Sequence, residues 1–348
     1  MRWFVALLAI VALGDAAPAQ WVVQDSGTTA RLRGLCVVSG RVAWASGAGG
    51  TVLRTVDGGE TWEPKVVPDA ADLDFRDIEA FDERTAYALS IGEGKLSRIY
   101  KTADGGATWT LRHVNRDPDG FLDAMAFWDA DHGLVLGDPV GGRFVVLATD
   151  DGGETWDRIA AGGMPEALPG EGAFAASGTC LVVQGERHAW FGTGAGRVFR
   201  SEDRGRTWTA HETPVRADSP SSGVFSLAFR DAEHGVAVGG DYERPGLAGR
   251  LVALTSDGGR TWRSPQGPEP GGYRSAVAYL PDLDGPTLVA VGPTGTDWSN
   301  DGGETWAKLG DEGFHAVGFA GPRAGWAVGE DGRIARFDAG VGQADSRD

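Results

Sequence analysis

The sequence predicts an all-β protein assembled from one repeated four-stranded unit, and three observations predict it. Glycine supplies 55 of 348 residues, roughly twice its usual ~7% share, and without a Gly-X-Y period the excess belongs to tight turns. Thirteen Trp stand against three Met and five Tyr, so one aromatic residue serves a repeated purpose. A pattern of Thr or Ser, then Asp, Gly, Thr and Trp at fixed offsets recurs six times.

The N-terminus comes first in chain order. Met1-Arg2, the apolar run Trp3 to Leu13 and Ala17-Pro18-Ala19 before Gln20 form the charged, apolar and small-residue parts of a signal peptide. The apolar run is too short to cross a ~30 Å hydrocarbon core, and no cysteine succeeds it to carry a lipid. The expectation is a leader over residues 1–19 and a protein exported to the periplasm or the medium, with no membrane span.

The six repeats begin at Thr55, Thr102, Thr149, Ser201, Thr255 and Ser299, placing Asp57, Asp104, Asp151, Asp203, Asp257 and Asp301 at equivalent positions. Spacings of 44 to 54 residues between these Asp mean repeated supersecondary units. Within a repeat the Asp accepts backbone N–H groups across a hairpin turn and the Gly supplies positive φ. The Thr opens the next strand and the Trp packs between sheets. The six Asp are therefore turn formers, not six catalytic acids.

Upstream of each motif lies a short strand such as Ala43-Trp44-Ala45, Ala86-Tyr87-Ala88 or Ala189-Trp190-Phe191, and before it another apolar strand such as Leu35 to Val38 or Met125 to Phe127. This pair occurs seven times, once more than the Asp motif, ending with Phe314 to Phe337. Each unit therefore reads as strands A to D with the Asp motif at the C–D turn. The last unit lacks a strand D, and Gln20-Trp21-Val22-Val23 matches the segments just downstream of the Asp motifs, as in Thr61-Trp62-Glu63. The mature N-terminus is expected to close the ring. The predicted fold is a single seven-bladed β-propeller over residues 20–338, with a disordered tail over 339–348; a closed ring leaves only short, protected sheet edges.

The six motifs are similar to the BNR or Asp-box repeats of sialidases. Seven of these units in one exported chain resemble most the photosystem II assembly and stability factor family. The resemblance covers essentially the whole mature chain and implies a lumenal or periplasmic chaperone-like protein that docks a membrane-protein partner, with an arginine patch on one face of the ring. The reading for this chain is a non-catalytic binding or assembly factor that docks a protein partner through that cluster. Asp-boxes specify blades and say little about activity, because propellers host many functions.

The D–A connections and B–C loops share the face where ligands usually sit. Aligned on their A strands, the blades place Arg33, Arg76, Leu122, Gly178, Val224, Arg274 and Phe314 at one position, putting three arginines on the arc of blades 1, 2, 6 and 7. A guanidinium cluster suits a carboxylate, from a peptide C-terminus or an acidic side chain. The alternative is that each Arg pairs with Asp74, Asp77 or Asp123. The B–C loops add Asp138, Arg143, Asp241, Tyr242, Arg244, Glu330 and Asp331, and the long loops 159–175 and 239–249 lie on the same face.

Composition excludes several classes. Thirty-two basic against 49 acidic residues give a net charge of −17, which argues against nucleic acid or anionic membranes as partners. Among the cations 28 are Arg and 4 Lys. Cys36 and Cys180 fall in opposite blades and are expected to be free thiols. His132, His188 and His234 repeat in A–B turns and make no metal site. Gly192-x-Gly194-x-Gly196 lacks the βαβ context of a dinucleotide site, and Asp117-Pro-Asp119-Gly120 and Asp282-Leu-Asp284-Gly285 lack the terminal Glu of a calcium loop. No cofactor or metal is expected, and a monomer is. The alternative function is a sialidase-like glycoside hydrolase or glycan-binding propeller, which needs an Arg triad with a Tyr–Glu nucleophile pair and an Asp acid. Against it, the Arg-Ile-Pro opening of sialidases is absent.

Overall fold

The structure, a computed structural model, describes residues 20–281 and 285–338. Seven antiparallel sheets form the blades of a propeller, five of them built in the order A-B-C-D from four consecutive strands. Blade 1 is typical: strand A is Leu32–Val37, B is Ala43–Gly47, C is Thr51–Thr55 and D is Glu63–Pro64. In blade 5 the outer strand shrinks to one bridge, Leu254 with Arg263. Blade 7 takes its outer strand, Gln20–Gln24, from the N-terminus, paired with Ile334–Asp338. The expected ring closure is therefore present. The leader, the tail and Asp282 to Asp284 lie outside the described residues.

Each Asp motif closes its C–D turn with the same four bonds. In blade 1 the Thr55 hydroxyl donates to Asp57 Oδ1 at 2.8 Å and accepts from Gly59 N at 2.8 Å. Thr61 then donates its N–H to Oδ1 at 3.0 Å and its hydroxyl to Oδ2 at 2.6 Å. Gly58 and Gly59 sit at φ +83° and +84°, where a side chain is strained. Bonds from the Thr61 hydroxyl, then the Thr61 N–H, hold Asp57 down to about 2, and Thr108 does the same for Asp104. These carboxylates are committed to turns.

Blades are joined by a B-strand aromatic and a C-strand cation reaching under the next blade's turn. Tyr87 Oη and Lys101 Nζ both donate to Gly152 O, at 2.6 and 2.7 Å. Trp190 Nε1 and Arg200 Nε both donate to Gly258 O at 2.8 Å. At the closure Gln24 Oε1 accepts from Trp62 Nε1 of blade 1 at 3.1 Å and Trp326 Nε1 of blade 7 at 2.9 Å. Trp44, Trp190 and Trp326 are fully buried between sheets, where an aromatic side chain contributes most to packing. No helix among the described residues is long and apolar enough to cross a membrane.

Candidate functional site at the channel mouth

Strand A carries a β-bulge at the same place in four blades, where the A–B register shifts between Leu32 and Gly34, Phe75 and Asp77, Leu122 and Ala124, and Val224 and Ser226. The extra residue of a bulge is released from the ladder and re-aimed. Counting from the A–B pairing, that position is Arg33, Arg76, Asp123, Thr179, Phe225, Ser275 and His315 around the ring. The alignment read from sequence is therefore one residue out in blades 3 to 7. Arg274 corresponds to Leu32 and Phe75, which point into the core.

Arg274 is accordingly buried. Its Nε donates to Asp297 Oδ2 at 2.6 Å, its second terminal nitrogen pairs with the same oxygen, and the remaining one donates to Tyr273 O and Thr294 Oγ1, each at 2.9 Å. Its side chain is 3% exposed, so it is not part of an arginine cluster on the loop face.

Arg33 and Arg76 do come together, with Phe174, Phe225, Tyr242, Tyr273, Pro293 and His315, around a pocket of about 480 Å³. Arg76 is half-paired, Nε to Asp74 Oδ2 at 2.9 Å, and Arg31 shares that carboxylate at 3.4 Å. Arg33 makes no ion pair among the described residues; it donates to Ala176 O at 3.2 Å and its Nε has no partner. Desolvation, then the Arg76 charge, pull Arg33 down to about 10, still charged at neutral pH. Two guanidiniums, Arg31 and Arg76, thus share the Asp74 carboxylate, and Arg33 lines the same pocket as Arg76, on a protein of strongly negative charge. Opposite them, Phe174 stacks on Phe225 at 3.8 Å and 6°, Tyr242 meets both edge-on, and Tyr273 packs against Phe225 at 4.6 Å.

The remaining sequence-predicted residues support the mouth from outside the pocket. Asp138 lies within strand B of blade 3, Gly133–Val140, and accepts Ala173 N at 2.8 Å. Arg143 opens strand C and binds Met164 O and Glu166, holding the long loop. Asp241 is buried, accepting from Ser221 at 2.8 Å and Arg244 Nε at 2.8 Å. Glu330 accepts from His315 Nε2 at 2.7 Å; burial, then the Arg33 charge, hold that histidine down to about 4. Tyr242 alone of the loop residues named from sequence lines the pocket, 48% exposed. Sequence reading missed Phe174, Phe225 and His315; Phe174 lies in the long D–A connection, and a strand-A alignment shifted by one residue is the signal that marks Phe225 and His315.

Beneath the mouth, Asp77 and Asp123 are buried rather than paired with arginine. Asp77 Oδ2 accepts Met125 N at 2.6 Å and burial pushes it up to about 7. Burial, then Asp138, push Asp123 well up, and its Oδ2 has no partner among the described residues. Cys36 and Cys180 are free, and burial raises both thiols. His132 and His234 each bind an Asp of their own turn, Asp129 at 2.8 Å and Asp231 at 3.0 Å. Among the described residues no cluster of His, Cys, Asp and Glu is placed to hold a metal.

Residues 77–216 match the family described as photosynthesis system II assembly factor YCF48. The solved structure of YCF48 bound to D1 peptide superposes with a TM-score of 0.64 at 18% identity, over 93% of this chain and 97% of that one. This chain resembles the photosystem II assembly factors. YCF48 from Cyanidioschyzon merolae gives the same TM-score at 19% identity, over 91% and 98%. The GH74 xyloglucanase of Xanthomonas campestris gives 0.62 at 19% identity, over 91% of this chain and 53% of that one. At these identities the structural likeness establishes the propeller. No curated protein matches the sequence.

Proposed function

We propose that the chain is an exported, monomeric, non-catalytic assembly factor that docks a carboxylate-bearing peptide segment of a protein partner at the channel mouth, with Arg33 and Arg76 as the anchoring cations. The observation that carries this is Arg33, a half-buried guanidinium with no counter-ion among the described residues, set beside an aromatic wall. A desolvated guanidinium gains most from a bidentate carboxylate, and adjacent aromatics receive an apolar side chain. The match to the photosystem II assembly factors and the D1 peptide held by one of them support a peptide as the partner.

The sialidase-like alternative draws less support, because Arg274 is sequestered by Asp297 and cannot complete an arginine triad. The phenol of Tyr273 is buried and pushed well up by desolvation, a poor state for a nucleophile. The test is binding of a peptide array by wild type beside the Arg33→Glu/Arg76→Glu variant, with a sialoside and glucan panel run in parallel. Acidic or C-terminal peptides bound by wild type alone uphold the reading; turnover of a glycoside, with no peptide bound, overturns it. A mature N-terminus at Gln20 is expected for the exported form, and Met1 retained in mature material contradicts export.

A further inference from the structure

The connection between blades 3 and 4, residues 159–180, is far longer than that between blades 2 and 3, residues 115–121. It does not stay at the rim. It carries Phe174-Ala175-Ala176 across the channel mouth, and the two pocket arginines spend hydrogen bonds on it. Arg76 donates to Ala175 O at 3.1 Å and Arg33 to Ala176 O at 3.2 Å, while Phe174 fills the aromatic wall by stacking on Phe225.

Resting on the pocket assignment above, we infer that Phe174-Ala175-Ala176 is a built-in occupant of the partner's site. The pocket reads an aromatic side chain followed by two main-chain carbonyls, and the partner enters by displacing this strap. Its anchoring fits displacement. The ends are firm: the buried Glu171 carboxylate binds Thr193 at 2.6 Å and Arg197 at 3.0 Å, and Ser177 Oγ donates to Ser275 O at 2.9 Å. The three residues between belong to no strand; beside the two arginines, the ring stack and one local turn, Ala176 N to Phe174 O at 2.8 Å, they are held by apolar contact alone, Phe174 edge-on to Tyr242 and Ala176 packed with Phe225 and Tyr273. Gly172 precedes the segment and Gly178, at φ +78°, lies just beyond it, so the chain has pivots at both ends.

A partner that competes with an internal occupant binds more weakly by the fraction of time the site is open. Loosening the strap must therefore strengthen binding. The probe is a peptide of the strap's own sequence from residue 172 on, Gly-Ala-Phe-Ala-Ala-Ser, acetylated and amidated so that no carboxylate contributes. Full-length Phe174→Gly protein is expected to bind it about tenfold or more tightly than wild type. That gain is expected to vanish when Arg33→Gln and Arg76→Gln are added. In wild type, hydrogen exchange at Ala175 and Ala176 is expected to quicken on peptide addition while strand A amides are unchanged.

Equal or weaker binding by a folded Phe174→Gly variant, with strap exchange unchanged by peptide, overturns the inference and makes the strap a fixed floor. Such a result leaves the proposed function standing if wild type still binds carboxylate-bearing peptides through Arg33 and Arg76. Loss of all peptide binding by both proteins overturns both.

Discussion

Replacing Arg274 and replacing Arg33 are expected to have opposite consequences, although both are arginines at the start of an A strand. Arg274→Met removes both ion-pair contacts to Asp297 and the donors to Tyr273 O and Thr294. Asp297 is then left 4% exposed with only a 3.4 Å contact from Gly271 N. Breaking a buried pair from one side costs about 3–5 kcal/mol. At ~2.1 cal/mol/K per residue over roughly 320 ordered residues, unfolding entropy is ~0.7 kcal/mol/K, so the loss lowers Tm by roughly 4–8 °C. Arg33→Gln removes a desolvated charge with no carboxylate partner, so Tm is expected to stay within ~1 °C or rise. The assay is thermal unfolding of both variants beside a peptide titration of each. Arg274→Met should lose stability and keep binding below its Tm; Arg33→Gln should do the reverse. Equal Tm losses, or a folded Arg274→Met protein that no longer binds, refute the assignment of the two roles.

Three further outcomes are expected from the same geometry. Asp77, pushed up to about 7 by burial, holds its proton more tightly folded than unfolded. The stability it contributes is therefore complete below about pH 4 and lost as pH rises through about 7; Tm should fall between pH 5 and 8, and Asp77→Asn should flatten that slope. Gln24→Ala orphans the Nε1 donors of Trp62 and Trp326 at ~1–3 kcal/mol each, so a fall in denaturation midpoint is expected, and an unchanged midpoint contradicts closure through this residue. Cys180, buried with its thiol raised, should resist an aromatic disulfide reagent at pH 8 until the protein is unfolded; a fast reaction at Cys180 contradicts the packing.

The blade count and the closing strand were legible because each rests on a local pattern: six identical turns, and an N-terminal strand that matches the segment after them. The pocket was only half legible. A β-bulge adds a residue to strand A without any residue type to mark it, since Arg33 and Arg76 flank apolar positions on both faces. An alignment without the bulge therefore puts Arg274 in the wrong class. The partner that buries Arg274, Asp297, comes from strand C of the same blade, 23 residues on, and sequence spacing does not announce that pairing. Asp138 and Asp241 read as B–C loop ligands, yet Asp138 lies within strand B and Asp241 at its end, and each turns inward, to Ala173 N and to Ser221. The loop over 159–175 was marked by its length, but that Phe174 enters the aromatic wall depends on the depth to which the connection reaches across the channel.

The most direct measurement of where the partner contacts the ring is site-specific photo-cross-linking in the native cell. A photoreactive phenylalanine analogue replaces Tyr242 at the channel mouth in one protein, and in another Asp150, exposed on the Asp-box face. A partner-peptide adduct at Tyr242, absent from the Asp150 protein and abolished by Arg33→Glu/Arg76→Glu, is the expected result. Adducts at Asp150 alone, or adducts at Tyr242 that survive the double substitution, contradict an arginine-anchored peptide site at the mouth.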